Sequence, residues 1–216
     1  MFPLYDNQPT RRFPFVTLLI IAVNVFVFVG WQLQVGLPRS VQLAAMVPAE
    51  FTHSPSPDSV FHMVASMFMH GGWMHLIGNM WFLWIFGNNI EDATGPTRYA
   101  VFYFLSGVAA DLAFIAFSPN SMTPLIGASG AVSGVLGAYL LLHPRASVMT
   151  LVPLGFYARI IPLPAFLFLI IWIFLQIILQ AASGGHKEGG GVAYLAHIGG
   201  FLFGLLLIMF FKRRDA

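Results

Sequence analysis

Four polar residues stand inside segments that are otherwise apolar. Ser129 lies in Gly127-Ala128-Ser129-Gly130, at the mouth of an apolar segment that ends near Leu142. His197 lies in Ala196-His197-Ile198-Gly199-Gly200. His75 and Asn79 are four residues apart, hence on one face of a helix. A serine hydroxyl becomes a competent nucleophile when a base takes its proton, and histidine titrates in the range for that task. Ser129 and His197 therefore read as a nucleophile–base pair. Acyl transfer also needs donors aimed at the developing oxyanion. A helix start at Ser129 offers unpaired backbone N–H groups and the positive end of the dipole. His75 and Asn79 add side-chain donors. The set lacks only the orienting carboxylate of a serine-hydrolase triad. Asp111 is the acid clearly within an apolar segment, and nothing in the sequence aims it at His197.

The elements that must hold these residues are membrane helices. The 216 residues are 58% hydrophobic and 8% charged, against about 25% charged in a soluble domain. So apolar a chain cannot cover a soluble surface, and the expected class is an all-α polytopic membrane protein, one domain over residues 1–216. Without cysteine there are no disulfides or thiolate metal sites. A net charge of +2, dispersed along the chain, speaks against nucleic acid. The first apolar run is long enough to span and has no cleavage site after it, so it reads as a helix, not a cleaved leader.

Six spans are expected, at about 13–31, 72–90, 99–117, 129–142, 160–182 and 192–211. Arg11, Arg12, Arg98, Arg145, Arg159, Lys212, Arg213 and Arg214 then fall on one side, leaving Arg39 and Lys187 on the other. Positive residues mark the cytoplasmic face. Both termini are thus expected to be cytoplasmic, in a plasma membrane of a bacterial or archaeal type. Gly36 to Met69 reads as short helices in or on the outer leaflet, because its apolar patches are broken by prolines. Phe166 to Leu179 has few small residues and reads as a peripheral, lipid-facing helix. Ser183 to Gly191 reads as a flexible outer loop.

The second, fourth and sixth spans run in the same direction, so depth can be counted from their inner ends. At about 1.5 Å per residue, Ser129 stands about 20 Å up, His197 about 22 Å, His75 about 24 Å and Asn79 about 18 Å. The hydrocarbon core is about 30 Å thick, so all four share one layer of its outer half. Gly130-xxx-Gly134 and Gly200-xxx-Gly204 are small-xxx-small patterns that let two helices approach closely. Each starts beside a candidate reactive residue.

These motifs together resemble the rhomboid family of intramembrane serine proteases. The resemblance rests on Gly127-Ala128-Ser129-Gly130, His70-xxxx-His75-xxx-Asn79, Ala196-His197-xx-Gly200-xxx-Gly204 and Gly87-xxx-Glu91-xxx-Gly95. It covers almost the whole chain, including the opening Asn-Gln-Pro-Thr-Arg-Arg-Phe-Pro and the Pro-Leu-Gly-Phe after the fourth span. It implies a six-transmembrane-helix bundle and a Ser129–His197 dyad. The implied oxyanion site involves His75, Asn79 and the Ser129 backbone. The implied substrates are single-pass transmembrane proteins, cleaved near the outer side of the bilayer without a cofactor or a metal. Ser133 departs from members that carry an aromatic there to pack against the histidine.

Plainer readings exist for each residue taken alone: helix packing for Ser129, an interhelical hydrogen bond for His197, polar glue for His75 and Asn79. His70 reads as a structural hydrogen bond at the cavity rim, Glu91 as a cap or tie, and Trp81 and Trp84 as ordinary aromatics. Two rival functions are a proton or metal transporter using His62, His70, His75 and His197, and a proteolytically inactive relative that binds membrane proteins. His70 and His75 are five apart and diverge around a helix, which weakens the first. The second need not keep both Ser129 and His197.

Overall fold

A computed structural model describes residues 1–182 and 193–213. The expected loop Ser183–Gly191, with Lys187, lies outside the described residues, as does Arg214. The chain opens with a strand, β1 (Phe2–Asp6), followed by helix α1 (Phe15–Val35). A π-helical stretch, Val27–Gln32, interrupts α1. Three short helices follow: α2 (Leu37–Ala44), α3 (Pro48–His53) and α4 (Pro57–Ser66). Then come α5 (Trp73–Thr94), α6 (Pro96–Phe117) and α7 (Ser129–Leu142). Two strands, β2 (Ser147–Leu154) and β3 (Tyr157–Pro164), lead into α8 (Ala165–Ala182) and α9 (Tyr194–Phe211).

A helix lies at each place where a span was expected. Among the described residues four of them, α1, α6, α8 and α9, are long and apolar enough to cross a membrane. The 22-residue α5 is diluted by Asn88, Asn89, Glu91 and Asp92, and α7 has 14 residues. The ends of the chain meet at one end of the bundle. The Arg11 N–H donates to Asp92 Oδ2 (3.2 Å) and the Arg213 N–H donates to the Ala93 carbonyl (3.0 Å), both at the C-terminal end of α5.

The expectation of an all-helical chain is corrected: the fold is mostly helical with a small antiparallel sheet of order β1-β2-β3. β2 and β3 form a tight hairpin in which Leu154 pairs with Tyr157 across Gly155-Phe156. Gly155, at φ +72°, takes the positive φ that such two-residue turns require. β3 also overruns the expected start of the fifth span at residue 160, and α8 begins only at Ala165. The reason is local. Pro162 and Pro164 lack the N–H that a helix would use, and an edge strand tolerates them. β1 docks on the bundle through Trp81, whose indole N–H donates to the Pro3 carbonyl (2.7 Å), and through Asp6, which accepts from the Tyr139 hydroxyl.

The core of the bundle is the contact of α7 with α9, and it is made without side chains. A Cβ added to Gly200 would stand 2.1 Å from the Gly130 carbonyl oxygen; one on Gly204 would stand 1.9 Å from that of Gly134. On the reciprocal face, a Cβ on Gly137 would stand 2.1 Å from the Phe201 carbonyl oxygen. α6 closes the third side, where a Cβ on Gly199 would stand 2.3 Å from Ala113 Cβ. Glu91 then ties α1 to α5. Its carboxylate accepts from the N–H groups of Val16 (2.9 Å) and Thr17 (2.8 Å) and from the Thr17 hydroxyl (2.8 Å). Those are free donors of the first turn of α1, so Glu91 caps it from a distance.

Gly204→Val is expected to destabilise the protein by more than about 3 kcal/mol, because backbone on both helices must separate. Gly78→Ala, where a Cβ meets nothing within 4 Å, is expected to leave stability unchanged or raise it by about 0.5–1 kcal/mol. Thermal unfolding of the two variants in detergent checks this contrast.

Candidate active site

Three parallel helices start at the same end of the bundle, opposite the chain termini, and each brings its polar residue to that end. Ser129 is the first residue of α7, His197 lies in the first turn of α9, and His75 and Asn79 lie in the first two turns of α5. All four line one cavity of about 910 Å³. The glycine contact explains the meeting of Ser129 and His197. Gly130 follows Ser129 directly, and Gly200 lies one turn after His197 on the same face. Ser129 and His197 flank that contact, and both line the cavity.

Gly127 brings α5 to the same point. It has φ +121°, where L side chains are rare, and a Cβ there would lie 2.8 Å from both His75 Cε1 and His75 Nε2 and 3.6 Å from Asn79 Nδ2. Its own N–H donates to the Ser66 carbonyl (2.8 Å), which pins the turn to the end of α4. Glycine alone lets His75 and Asn79 lie against the backbone that leads into Ser129.

The hydrogen bonds assign the donors. The Gly71 N–H donates to His75 Nδ1 (3.2 Å). Neutral His75 therefore carries its proton on Nε2, the atom against the Gly127 turn. Asn79 is 7% exposed, and its Nδ2 is buried with no partner. A buried donor without an acceptor is costly in the ground state and is free to meet an oxyanion. The side-chain hydroxyl of Ser133 donates to the Ser129 carbonyl (2.6 Å), back along its own helix.

Three residues outside the sequence motifs surround the histidine. Trp172 of α8 lies tilted over the His197 ring (6.0 Å between centroids, 31°). Gln176, one turn further along α8, places its Oε1 2.8 Å from His197 Nδ1. Tyr194 meets the ring edge-on at 6.5 Å. These contacts hold the ring, while the Ser133 hydroxyl is spent on the Ser129 carbonyl. One signal for them was available: Gln176 is the amide in the otherwise apolar run Phe166–Leu179.

The remaining polar residues sort differently. Asp111 is buried on α6 with Oδ2 unpartnered, and His197 Nδ1 is already engaged by Gln176. His70 is fully buried, and both its ring nitrogens lack partners. Its backbone makes the contacts instead: its N–H donates to Gln32 Oε1 (2.8 Å) and its carbonyl accepts from Gln32 Nε2 (3.2 Å). His62 does not line the cavity. Among the described residues no three His, Cys, Asp or Glu side chains are grouped to hold a metal ion. Trp84 is half exposed on α5.

The chain belongs to the rhomboid family: it matches the Rhomboid domain over residues 57–214. It is 30% identical to the mitochondrial rhomboid protein 1 of Saccharomyces cerevisiae over 193 residues, 87% of this chain and 50% of that protein. It is 32% identical to the mitochondrial presenilin-associated rhomboid-like protein of Bos taurus over 196 residues, 88% of this chain and 47% of that protein. It is also 30% identical over 127 residues to the rhomboid protease GluP of Bacillus subtilis, 59% of this chain and 24% of that protein. The chain spans about half the length of the yeast and bovine relatives. The yeast and bovine relatives are named as mitochondrial proteins, which overturns the expectation of a plasma membrane with cytoplasmic termini. The physical reason is that basic residues report which ends share a side, whereas nothing in span composition distinguishes these two membranes.

Gly127→Ala is expected to cost about 1–3 kcal/mol through positive φ and the encounter with His75. It is also expected to expose the His75 ring, and urea or thermal unfolding with histidine NMR checks both effects.

Proposed function

We propose that this chain is an intramembrane serine endopeptidase, a six-helix rhomboid bundle that hydrolyses peptide bonds of single-pass transmembrane substrates toward the membrane face opposite its termini. The observation that carries the proposal is the shared cavity. In it Ser129 and His197 stand beside two unused donors, Asn79 Nδ2 and His75 Nε2–H. Packing alone has no use for a buried unpartnered amide donor next to a serine on a helix start.

In this reading Ser129 Oγ attacks the scissile carbonyl carbon while His197 Nε2 accepts the hydroxyl proton. The carbonyl π electrons move onto oxygen, and that oxyanion is met by Asn79 Nδ2, His75 Nε2–H and the free N–H groups of the first turn of α7. His197 returns the proton to the leaving amine as the C–N bond breaks. A water, deprotonated by the same nitrogen, then attacks the acyl carbon and releases Ser129. The cavity supports this because its volume of about 910 Å³ leaves room for peptide and water at one end of the bundle. A substrate helix must unwind to present its carbonyl, since helical backbone groups satisfy one another. The polar short-helix region α2–α4 and the thinly packed α8 are the candidate gates.

The test is cleavage of a model transmembrane substrate in liposomes, run with a fluorophosphonate probe and mass spectrometry of the adduct. Wild type is expected to cleave and to be labelled at Ser129, and Ser129→Ala to do neither. Asn79→Ala is expected to lose about 10²–10³ in turnover, the scale of one lost oxyanion donor. Asp111→Asn is expected to keep substantial activity. Folded wild-type protein that neither cleaves nor is labelled would leave the non-catalytic membrane-protein binder as the function.

A further inference from the structure

We infer that Gln176 is the positioning residue for the base. Its amide oxygen holds His197 as the Nδ1–H tautomer, with Nε2 left unprotonated for Ser129. This rests on the Ser129–His197 reading and adds to it a residue outside the motifs that suggested it.

The geometry is specific. Gln176 Oε1 lies 2.8 Å from His197 Nδ1. An amide oxygen only accepts, so the hydrogen of a neutral imidazole sits on Nδ1 and the lone pair sits on Nε2. The opposite tautomer would present N–H to Ser129 and could take no proton from it. In a triad a carboxylate makes this choice. Here the buried acid Asp111 is not bonded to the ring, and the amide of a different helix occupies the place.

The position of Gln176 in α8 argues the same way. From Phe166 to Leu179 every other residue is apolar. A glutamine in such a run is costly unless its polar atoms are satisfied. Phe168, Trp172 and Gln176 repeat every four residues and so share one face. Phe168 is buried in the core, Trp172 lies over His197, and Gln176 reaches its Nδ1. The neighbours Phe174, Leu175, Ile177 and Ile178 are exposed and do not line the cavity, whereas Leu179 lines it beside Gln176. Residues of α8 that are fully buried lie only in its first turns, at Ala165, Phe168 and Leu169. The base is therefore aligned by the less anchored half of α8, and its alignment requires that half to be docked on α9.

The test uses the full chain in liposomes with Gln176→Met, which keeps volume and removes the acceptor, and Gln176→Glu, which keeps an acceptor and adds charge. Gln176→Met is expected to lower kcat about tenfold or more with KM within about twofold, the loss of one orienting hydrogen bond. Gln176→Glu is expected to restore most of kcat. It is also expected to move the acid limb of the pH–rate profile to higher pH, because a carboxylate beside the imidazole favours its protonated form. A residue that only fills space would give neither the rescue nor the shift.

A second readout needs no activity. Nitrogen-15 shifts of His197, assigned by loss of its signal in His197→Gln, are expected to show the Nδ1–H tautomer in wild type and in Gln176→Glu, and a mixture in Gln176→Met. Tautomer dependence on Gln176 in a protein without cleavage or labelling would sink the protease reading and leave the positioning role standing. An Nε2–H tautomer in wild type overturns the inference. So does a Gln176→Met protein with wild-type kcat, acid limb and tautomer.

Discussion

No side chain stands between α7 and α9 where the carbonyls of Gly130 and Gly134 meet Gly200 and Gly204, and the rest of the molecule is arranged around that absence. The carbonyl oxygens of one helix lie where Cβ atoms of the other would be. Inside a membrane, helices gain little from hiding apolar surface, because lipid is as apolar as leucine. Association depends on close van der Waals approach and on hydrogen bonds between helices. Backbone contact gives the closest approach available. It also brings Ser129 and His197 to one cavity, since each is one residue or one turn from a touching glycine.

Around this contact the polar groups differ in how far their hydrogen-bonding capacity is used. Two that tie helices together are well partnered: Glu91 takes three donors from the start of α1, and Gln32 bridges the His70 backbone and Ser40. Those in the cavity are left with capacity. His75 spends one nitrogen on the Gly71 N–H and keeps the other, and Asn79 keeps a buried donor unpaired. A protein interior normally satisfies its buried donors, so an unsatisfied one in a cavity is where chemistry is to be sought. The histidine that would act as base is the exception: it is held on three sides, by Trp172, Gln176 and Tyr194. A base must be aimed, and an oxyanion donor must be free until the charge appears.

The places where sequence reasoning fell short share one cause. The β1-β2-β3 sheet joins Phe2–Asp6 to Ser147–Leu154, a pairing between segments far apart in the chain, for which hydropathy windows carry no signal. The same windows ran the fifth span back over Ile160 and Ile161, whose apolar character serves β3 equally well. Trp172 and Gln176 were read as part of a lipid-facing helix because α8 is apolar all round, with no periodicity to show which face turns inward. Its inward face is set by what it meets on α9.

By itself the sequence determined the membrane class, the approximate place of the main helices, the grouping of Ser129, His75, Asn79 and His197 toward one end of their helices, and the glycine pattern that lets two helices touch. All of these follow from local composition and from the fixed rise and period of a helix. Only the tertiary structure decided which nitrogen of His75 carries the proton, that Asn79 is left unpaired, that Asp111 stays apart from His197, and that an amide from α8 takes the place of an acid. Those are properties of contacts between segments, and a hydrogen bond is specified by the position of both partners, of which a sequence motif supplies one.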